Sequence, residues 1–305
     1  MLGMACGDAL GAGYETGKRV PASGATMCGG GFGFKPGEYT DDTQQAVCVV
    51  VARSEPLKVA ANLLQWYRSH PKDIGGQTRA VMSRAKTPRG LVMASRAYAR
   101  KQESLLVPRG WDPGTGNGSL MRTGPVCLPF LGDREKIAEV ARKVSDLTHA
   151  DAWSGDACIM WSIAISEAIE LGDAFVLREA MNEGLQFVSV ERRQFWIHAI
   201  DESLSTKTPW DAFRRNGGVV GCFKAALASV ADAESLEHGL QLAVAIGGDT
   251  DTVAAVAGAL LGAIHGASAV PATWRGEVWG WPGLRADGLE QLALAAAGVA
   301  PAVAA

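Results

Sequence analysis

The stretch Ile246-Gly-Gly-Asp-Thr-Asp-Thr252 constrains this chain most, because it drives two carboxylates straight into an apolar run over residues 253–270. At 3.6 residues per turn, helical residues two apart lie about 200° around the axis from each other and cannot face one ligand. At least one of Asp249 and Asp251 must therefore precede the first turn. Gly247 and Gly248 supply a backbone able to bend there, and the unpaired N–H groups of a helix start favour acceptor side chains. No Lys or Arg occurs between Lys224 and Arg275. Carboxylates that enter an apolar helix without a basic neighbour need another counter-charge, and a metal cation is the partner that remains.

A second start of the same kind lies near the other end of the chain. Tyr39-Thr-Asp-Asp-Thr43 feeds the apolar stretch 44–52, which places Thr40 as a cap and Asp41 and Asp42 in the first turn, where the helix dipole favours them. One acidic start is an ordinary cap; two, each with paired Asp and Thr, point to a shared task. Glycines repeat every four residues at Gly3, Gly7 and Gly11 and again at Gly258, Gly262 and Gly266. Each set gives a helix face without side chains, so the first and last acidic regions are expected to be drawn together by two closely packed central helices.

The remaining patterns predict helices over 57–68, 77–102, 133–147, 153–171, 172–192, 193–201, 209–215, 219–230, 236–245 and 283–297, with no recurrent strand alternation. Loops are expected at the Gly-rich connection 16–39, which lacks a preceding strand and a phosphate-loop signature, and at 108–116. The latter leads into Gly116-Asn-Gly-Ser-Leu-Met-Arg122, whose backbone and amide can meet a polar ligand. Trp274, Trp279 and Trp281 are expected to cover the core, and 298–305 to fray. With no long linker, the 305 residues read as one domain, 1–305, an all-α, compact multi-helix orthogonal bundle.

A formal net charge of −3 gives no basic footprint for nucleic acid or an anionic membrane surface. Six scattered cysteines without a C-x-x-C pair suit a reduced protein. The first ten residues lack a basic leader and contain Asp8, and the run 253–270 is rich in Ala and Gly and contains His265. Both favour a cytoplasmic protein with a buried core helix over a secreted or membrane-spanning one.

Thr40, Asp41, Asp42, Asp249, Asp251 and Thr252 are hard oxygen donors, better suited to Mg²⁺ or Mn²⁺ than to zinc. Four carboxylates can balance two divalent ions, an arrangement that supports hydrolysis. The ligands alone do not choose between a phosphate and a glycosidic bond, although a phosphoesterase fits less well without a His-rich set.

The ordered combination Gly7-Asp-Ala-Leu-Gly11 with Glu15, Pro36-Gly-Glu-Tyr-Thr-Asp-Asp-Thr43, Gly116-Asn-Gly-Ser-Leu-Met-Arg122 with Pro125, Thr148-His149 and Gly247-Gly-Asp-Thr-Asp-Thr252 resembles the ADP-ribosylglycohydrolase family across nearly the whole chain. The resemblance implies that family's all-α fold, two Mg²⁺ or Mn²⁺ ions, and hydrolysis of an α-linked ADP-ribosyl group from a protein side chain or a small-molecule conjugate. It implies that Thr40, Asp41, Asp42, Asp249, Asp251 and Thr252 hold the metals and that Glu15 approaches a metal and positions or deprotonates water. Glu15, Asp42 and Asp251 are thus the catalytic candidates, and Gly116, Asn117, Gly118, Ser119, Met121 and His149 the substrate-binding ones. Relative to the family the opening helix reads as shortened, which predicts looser packing beneath Glu15; Asp112 receives no role. A catalytically silent ADP-ribose-binding protein of the same fold is the alternative.

Overall fold

The computed structural model describes residues 1–15, 17, 23–105, 115–207 and 212–300. Fourteen α-helices occur among them: α1 (Leu2–Gly11), α2 (Asp41–Val51), α3 (Pro56–Arg68), α4 (Gly76–Met82), α5 (Pro88–Leu105), α6 (Arg134–Ser145), α7 (Ala152–Leu171), α8 (Leu177–Leu185), α9 (Val190–Ser205), α10 (Val219–Ala231), α11 (Leu236–Ile246), α12 (Thr250–His265), α13 (Ala272–Glu277) and α14 (Ala286–Ala296). The one sheet among the described residues is an antiparallel pair, β1 (Trp279–Gly280) and β2 (Leu284–Arg285), with Trp279 opposite Arg285. The expected all-α architecture is the one observed.

Helix α12 runs through the centre, buried at every residue from Thr250 to Leu261, and α1, α7, α10 and α11 pack around it. Its closest partner is α1, itself buried at every residue. Glycine makes that approach possible: a Cβ on Gly3 would stand 2.5 Å from the carbonyl oxygen of Gly258, and one on Gly11 would stand 2.5 Å from the Cα of Asp251. On Gly7 it would collide with the carbonyl of Ala254. Such backbone contact leaves no room for a methyl group. The predicted pairing of the two glycine stripes therefore holds, with one correction. Gly266 is not part of the contact face; it follows His265 at φ 77, outside the helix. Helix α1 packs fully against its neighbours, whereas Glu15, beyond its end, is half-buried.

Several predicted spans divide in the fold. The helix expected over 77–102 is two, because Pro88 lacks an N–H, disfavours helix at Thr87, and starts α5 instead. The span 172–192 breaks after α7, where Gly172 sits at φ 50, and again between α8 and α9, where Ser189 is extended ahead of Val190. The final helix begins at Ala286 rather than 283, since Leu284 and Arg285 pair with β1. Of the helix expected over 209–215, 209–211 lie outside the described residues and 212–215 are not helical. There the chain is held by pairing, with Gly218 bridged to Gly116 and the Val219 N–H donating to the Thr115 carbonyl at 2.9 Å. Parts of the connections at 16–39 and 108–116, including Asp112, and of the tail at 301–305 lie outside the described residues. Trp274 is buried, whereas Trp279 and Trp281 are half-buried. Among the described residues, no helix is long and apolar enough to cross a membrane.

The substitution Gly7→Ala is expected to lower the unfolding free energy by about 1–3 kcal/mol, the usual cost of overpacking. Gly276→Ala, whose added methyl meets nothing within 4 Å, is expected to leave it unchanged or slightly raised by helix propensity. Denaturant unfolding of both variants in chelator checks the pair; equal stability would contradict the backbone contact.

Candidate active site

The α1–α12 contact delivers three chain segments to one place. Thr250, in the first turn of α12, donates its hydroxyl to the Gly11 carbonyl at the end of α1, at 2.8 Å. One helix turn earlier on α1, the carboxylate of Asp8 accepts the N–H groups of Thr40 at 2.8 Å and Thr43 at 2.9 Å. Asp8 thus caps α2 from a different helix. Thr40 occupies the expected cap position, but its hydroxyl donates to Asp42 at 2.8 Å instead of accepting a backbone N–H. The two acidic helix starts, some two hundred residues apart in the chain, open into one cleft of about 280 Å³.

Asp41, Asp42, Asp249, Asp251, Thr252 and Glu15 all line this cleft. Carboxylate oxygens of Glu15, Asp249 and Asp251 lie within 4.8 Å of one another. Asp249 is the residue ahead of the helix and Asp251 lies in its first turn, which answers the angular problem posed by their spacing. The turn before them requires glycine. Gly248 has φ 85, and the Asn216 side chain and Arg214 carbonyl occupy the place of its missing Cβ.

Neutral groups fix these carboxylates. Asn216, buried in the extended segment before α10, accepts the Asp249 N–H at 2.8 Å and donates to the Gly247 carbonyl at 2.9 Å. The Asn117 amide donates to Asp249 Oδ2 at 2.7 Å and to the Asn216 carbonyl at 3.2 Å. Gln45 donates to Asp41 at 3.1 Å and accepts from Arg122 at 3.0 Å. The buried Arg122 also binds the Gly118 and Val144 carbonyls and Thr148. Burial lowers it to about 10, so it remains charged at neutral pH.

Burial, and then mutual repulsion, raises Asp41, Asp42 and Asp251 well above the ordinary carboxylate range. The same causes raise Glu15 to about 6. Burial raises Asp8 to about 6 against the opposing pull of its hydrogen bonds. Among the described residues, no Lys or Arg is ion-paired with Asp41, Asp42, Asp249 or Asp251. The buried Asp42 Oδ1 has no hydrogen-bond donor. A dense set of oxygen donors, one of them orphaned, fits a hard divalent cation.

His149 is buried and lines the opposite wall against Gly116 and Gly118. Burial, reinforced by the charge of Arg122, lowers it to about 3, so the ring is neutral. Thr148 Oγ1 lies 2.7 Å from an Arg122 N–H and 2.8 Å from His149 Nδ1. Because that oxygen already accepts from Arg122, its one proton is best spent on Nδ1. This places the remaining proton on Nε2, the ring nitrogen closest to the glycine backbone of the cleft.

Gly116, Asn117, Gly118 and Met121 line the cleft. Ser119 does not: it is buried beneath, where its hydroxyl accepts from Ser145 at 2.9 Å and from the Cys158 thiol at 3.5 Å. The motif runs through the cleft wall with Asn117 turned in and Ser119 turned back to α6 and α7. Sequence reasoning missed Asp8, Asn216, Asp73, Gln77 and Phe32. Asn216-Gly-Gly before the apolar start at Val219 repeats the logic of Gly247-Gly-Asp and was the available signal; Asp73, ahead of Gly75 and Gly76, carries a weaker one.

The sequence model of the ADP-ribosylglycohydrolase family matches residues 1–303. The chain belongs to the ADP-ribosylglycohydrolase family. It is 27% identical over 281 residues to ADP-ribosylarginine hydrolase Tri1 of Pseudomonas putida (strain GB-1), covering 90% of this chain and 71% of that protein. To the ADP-ribosyl-[dinitrogen reductase] glycohydrolase of Rhodospirillum rubrum it is 27% identical over 284 residues, covering 90% and 86%. Human ADP-ribosylhydrolase ARH3 is 24% identical over 278 residues, covering 78% and 73%. A solved structure titled ADP-ribosylglycohydrolase-related protein complex superposes with a TM-score of 0.72 at 29% identity, covering 97% of this chain and 95% of that one.

Two outcomes test the site of this family member. Asn216→Ala removes the groups that hold Gly247 and Asp249 and is expected to weaken Mn²⁺ binding about 10–100-fold in calorimetry, the usual loss for an outer partner of a metal ligand; unchanged affinity would deny Asn216 that role. The second concerns pH. Raised carboxylate pKa values favour the metal-free fold at low pH, and that contribution is lost as pH rises through about 6 for Glu15 and Asp8. Protons compete with cations for the same oxygens, so the rise in Tm caused by Mn²⁺ should be larger at about pH 7.5 than at about pH 5.5. An equal or reversed difference by calorimetric scanning would contradict it.

Proposed function

We propose that this protein is a metal-dependent hydrolase that removes an ADP-ribosyl group from a modified protein side chain by cleaving its α-glycosidic bond. One observation carries the reading: buried carboxylates from the two ends of the chain converge on one cleft with no basic partner among the described residues. Family membership and relatives named as ADP-ribosyl hydrolases support the choice of bond.

Asp41, Asp42, Asp249, Asp251, Thr40, Thr252 and Glu15 would hold two Mg²⁺ or Mn²⁺ ions. Bound divalent cations would supply positive charge that orients the ribose hydroxyls and makes an attacking water more acidic. The remaining work belongs to the chain. Glu15 takes a proton from the water that attacks the anomeric carbon and returns it to the acceptor, which departs with the bonding electrons. Neutral His149 offers Nε2–H to a substrate oxygen across the side-chain-free wall of Gly116 and Gly118. Asn117 and Asn216 keep Asp249 aimed, and Asp8 keeps α2 seated. A single domain in a reducing, cytoplasmic setting belongs to the same reading, supported by six free thiols, five of them buried.

Arginine-linked, serine-linked and O-acetyl ADP-ribose substrates, assayed with Mg²⁺ or Mn²⁺ and with chelator, test it. The expected result is metal-dependent release of ADP-ribose. Asp251→Asn should reduce that release by more than about 100-fold, beyond the loss typical of a residue outside the first coordination sphere. Calorimetric binding of ADP-ribose with no turnover of any substrate would instead identify a catalytically silent binding protein, and normal turnover by Asp251→Asn would overturn the metal assignment.

A further inference from the structure

The formal net charge of −3 conceals a local excess of the opposite sign. Residues 74–102 hold seven Lys and Arg and no Asp or Glu, and all seven are exposed. On α5, Arg89, Met93, Arg96 and Arg100 recur at spacings of four, three and four residues, which puts them on one face of the helix. The other face carries Leu91, Ser95 and Ala99, all buried. Met93, in the middle of the stripe, is 71% exposed and takes no part in the apolar core. None of Arg79, Arg84, Lys86, Arg89, Arg96 and Arg100 is ion-paired with a described residue.

Folding does not call for this stripe. Arg89 lies in the first turn of α5, where the helix dipole disfavours a cation, and no acidic residue stands there. Arg96 and Arg100, four residues apart, repel each other. Helix α6 shows the ordinary solution, with Glu135 in its first turn, Arg142 and Lys143 in its last, and Glu139 paired with both Lys136 and Lys143. A partner that brings negative charge offsets what α5 gives up locally. The stripe also stands next to the cleft. Gly75 to Thr78 line the cleft, α4 and α5 follow, packed against each other, and Gly116 returns to the cleft wall. Burial raises the carboxyls of Asp73, in that wall, and of Asp146, three residues before His149; the charge of Arg79 opposes the first rise, and those of Arg142 and Arg96 the second. The basic surface thus lies within electrostatic reach of segments that form the cleft.

We infer that the face of α5 bearing Arg89, Met93, Arg96 and Arg100 is a docking surface for an acidic patch on the protein that carries the ADP-ribosyl group. The assignment rests on the proposed hydrolase function and adds the partner to it. Arginine forks match carboxylates two N–H groups at a time, and arginine and methionine are both enriched where proteins meet. Met93 is an apolar centre that a folded partner covers and a phosphodiester strand leaves wet, so the stripe fits a protein better than a nucleic acid. No residue of α5 lines the cleft. The surface therefore acts on capture of the modified protein and leaves the chemistry alone.

The test uses the Mn²⁺-loaded protein and two peptides that carry the ADP-ribosyl linkage it hydrolyses, one flanked by Asp and Glu, the other by Gly and Ser. Wild type should show a KM about tenfold lower for the acidic peptide, the sum expected of three exposed ion pairs, and salt at about 0.5 M should shrink that difference. The triple variant Arg89→Glu, Arg96→Glu, Arg100→Glu should erase it while kcat and the KM of the neutral peptide stay put. Met93→Ala should raise the KM of the acidic peptide about two- to threefold, as for a modest interface anchor. Equal KM values for the two peptides in wild type, a difference that survives in the triple variant, or a KM unmoved by Met93→Ala overturns the assignment. A uridylate oligonucleotide that competes more strongly than the unmodified acidic peptide makes nucleic acid the partner and overturns it too. Binding of the unmodified acidic peptide that the triple variant abolishes, read by fluorescence anisotropy, with no turnover of either conjugate, keeps the surface and sinks the hydrolase reading. Neither turnover nor binding sinks both.

Discussion

Everything in this molecule depends on two helices touching through their backbones. Where α1 crosses α12, Gly3, Gly7 and Gly11 meet Gly258, Ala254 and the Thr250–Asp251 turn at distances that exclude a methyl group. The contact does more than fill the core. It sets the end of α1 against the start of α12, where Thr250 hydrogen-bonds to Gly11, and it carries Asp8 to the start of α2. Three segments distant in sequence thereby acquire one fixed geometry, and the cleft opens where they meet.

That geometry concentrates negative charge at a cost in stability. A fold selected for stability alone would answer buried carboxylates with arginine or lysine, as this one does elsewhere: buried Asp156 accepts from Arg142 and Arg192. At the cleft the partners are amides and backbone N–H groups. Asn117, Asn216 and Gln45 orient the carboxylates without neutralising them. Arg122 reaches Asp41 only through Gln45, a step removed. The charge is held in position yet left available to a cation, a pattern in which local cost serves a binding task.

Much of this was legible in the chain. The two Asp-Thr helix starts, the matched glycine stripes and the absence of nearby basic residues are local or periodic features, and the fold follows them. Helix boundaries were less legible where tertiary pairing overrode periodicity, as at Leu284 and Arg285 in the hairpin and at 212–218 beside Gly116. Ser119 shows the same limit within a motif. Its neighbour Asn117 enters the cleft while Ser119 turns back to Ser145, and only the path of the loop distinguishes them.

The sequence by itself determined which residues carry charge, where helices start, and that two of them pack without side chains between them. These depend on residue type and spacing, which a linear pattern records. Only the tertiary structure decided which groups face the cleft and which stand behind it. Asp8 became a cap for another helix and Asn216 a brace for Asp249, because each role depends on a partner contributed by another segment. Direction in space is a property of the packed chain, and no single position encodes it.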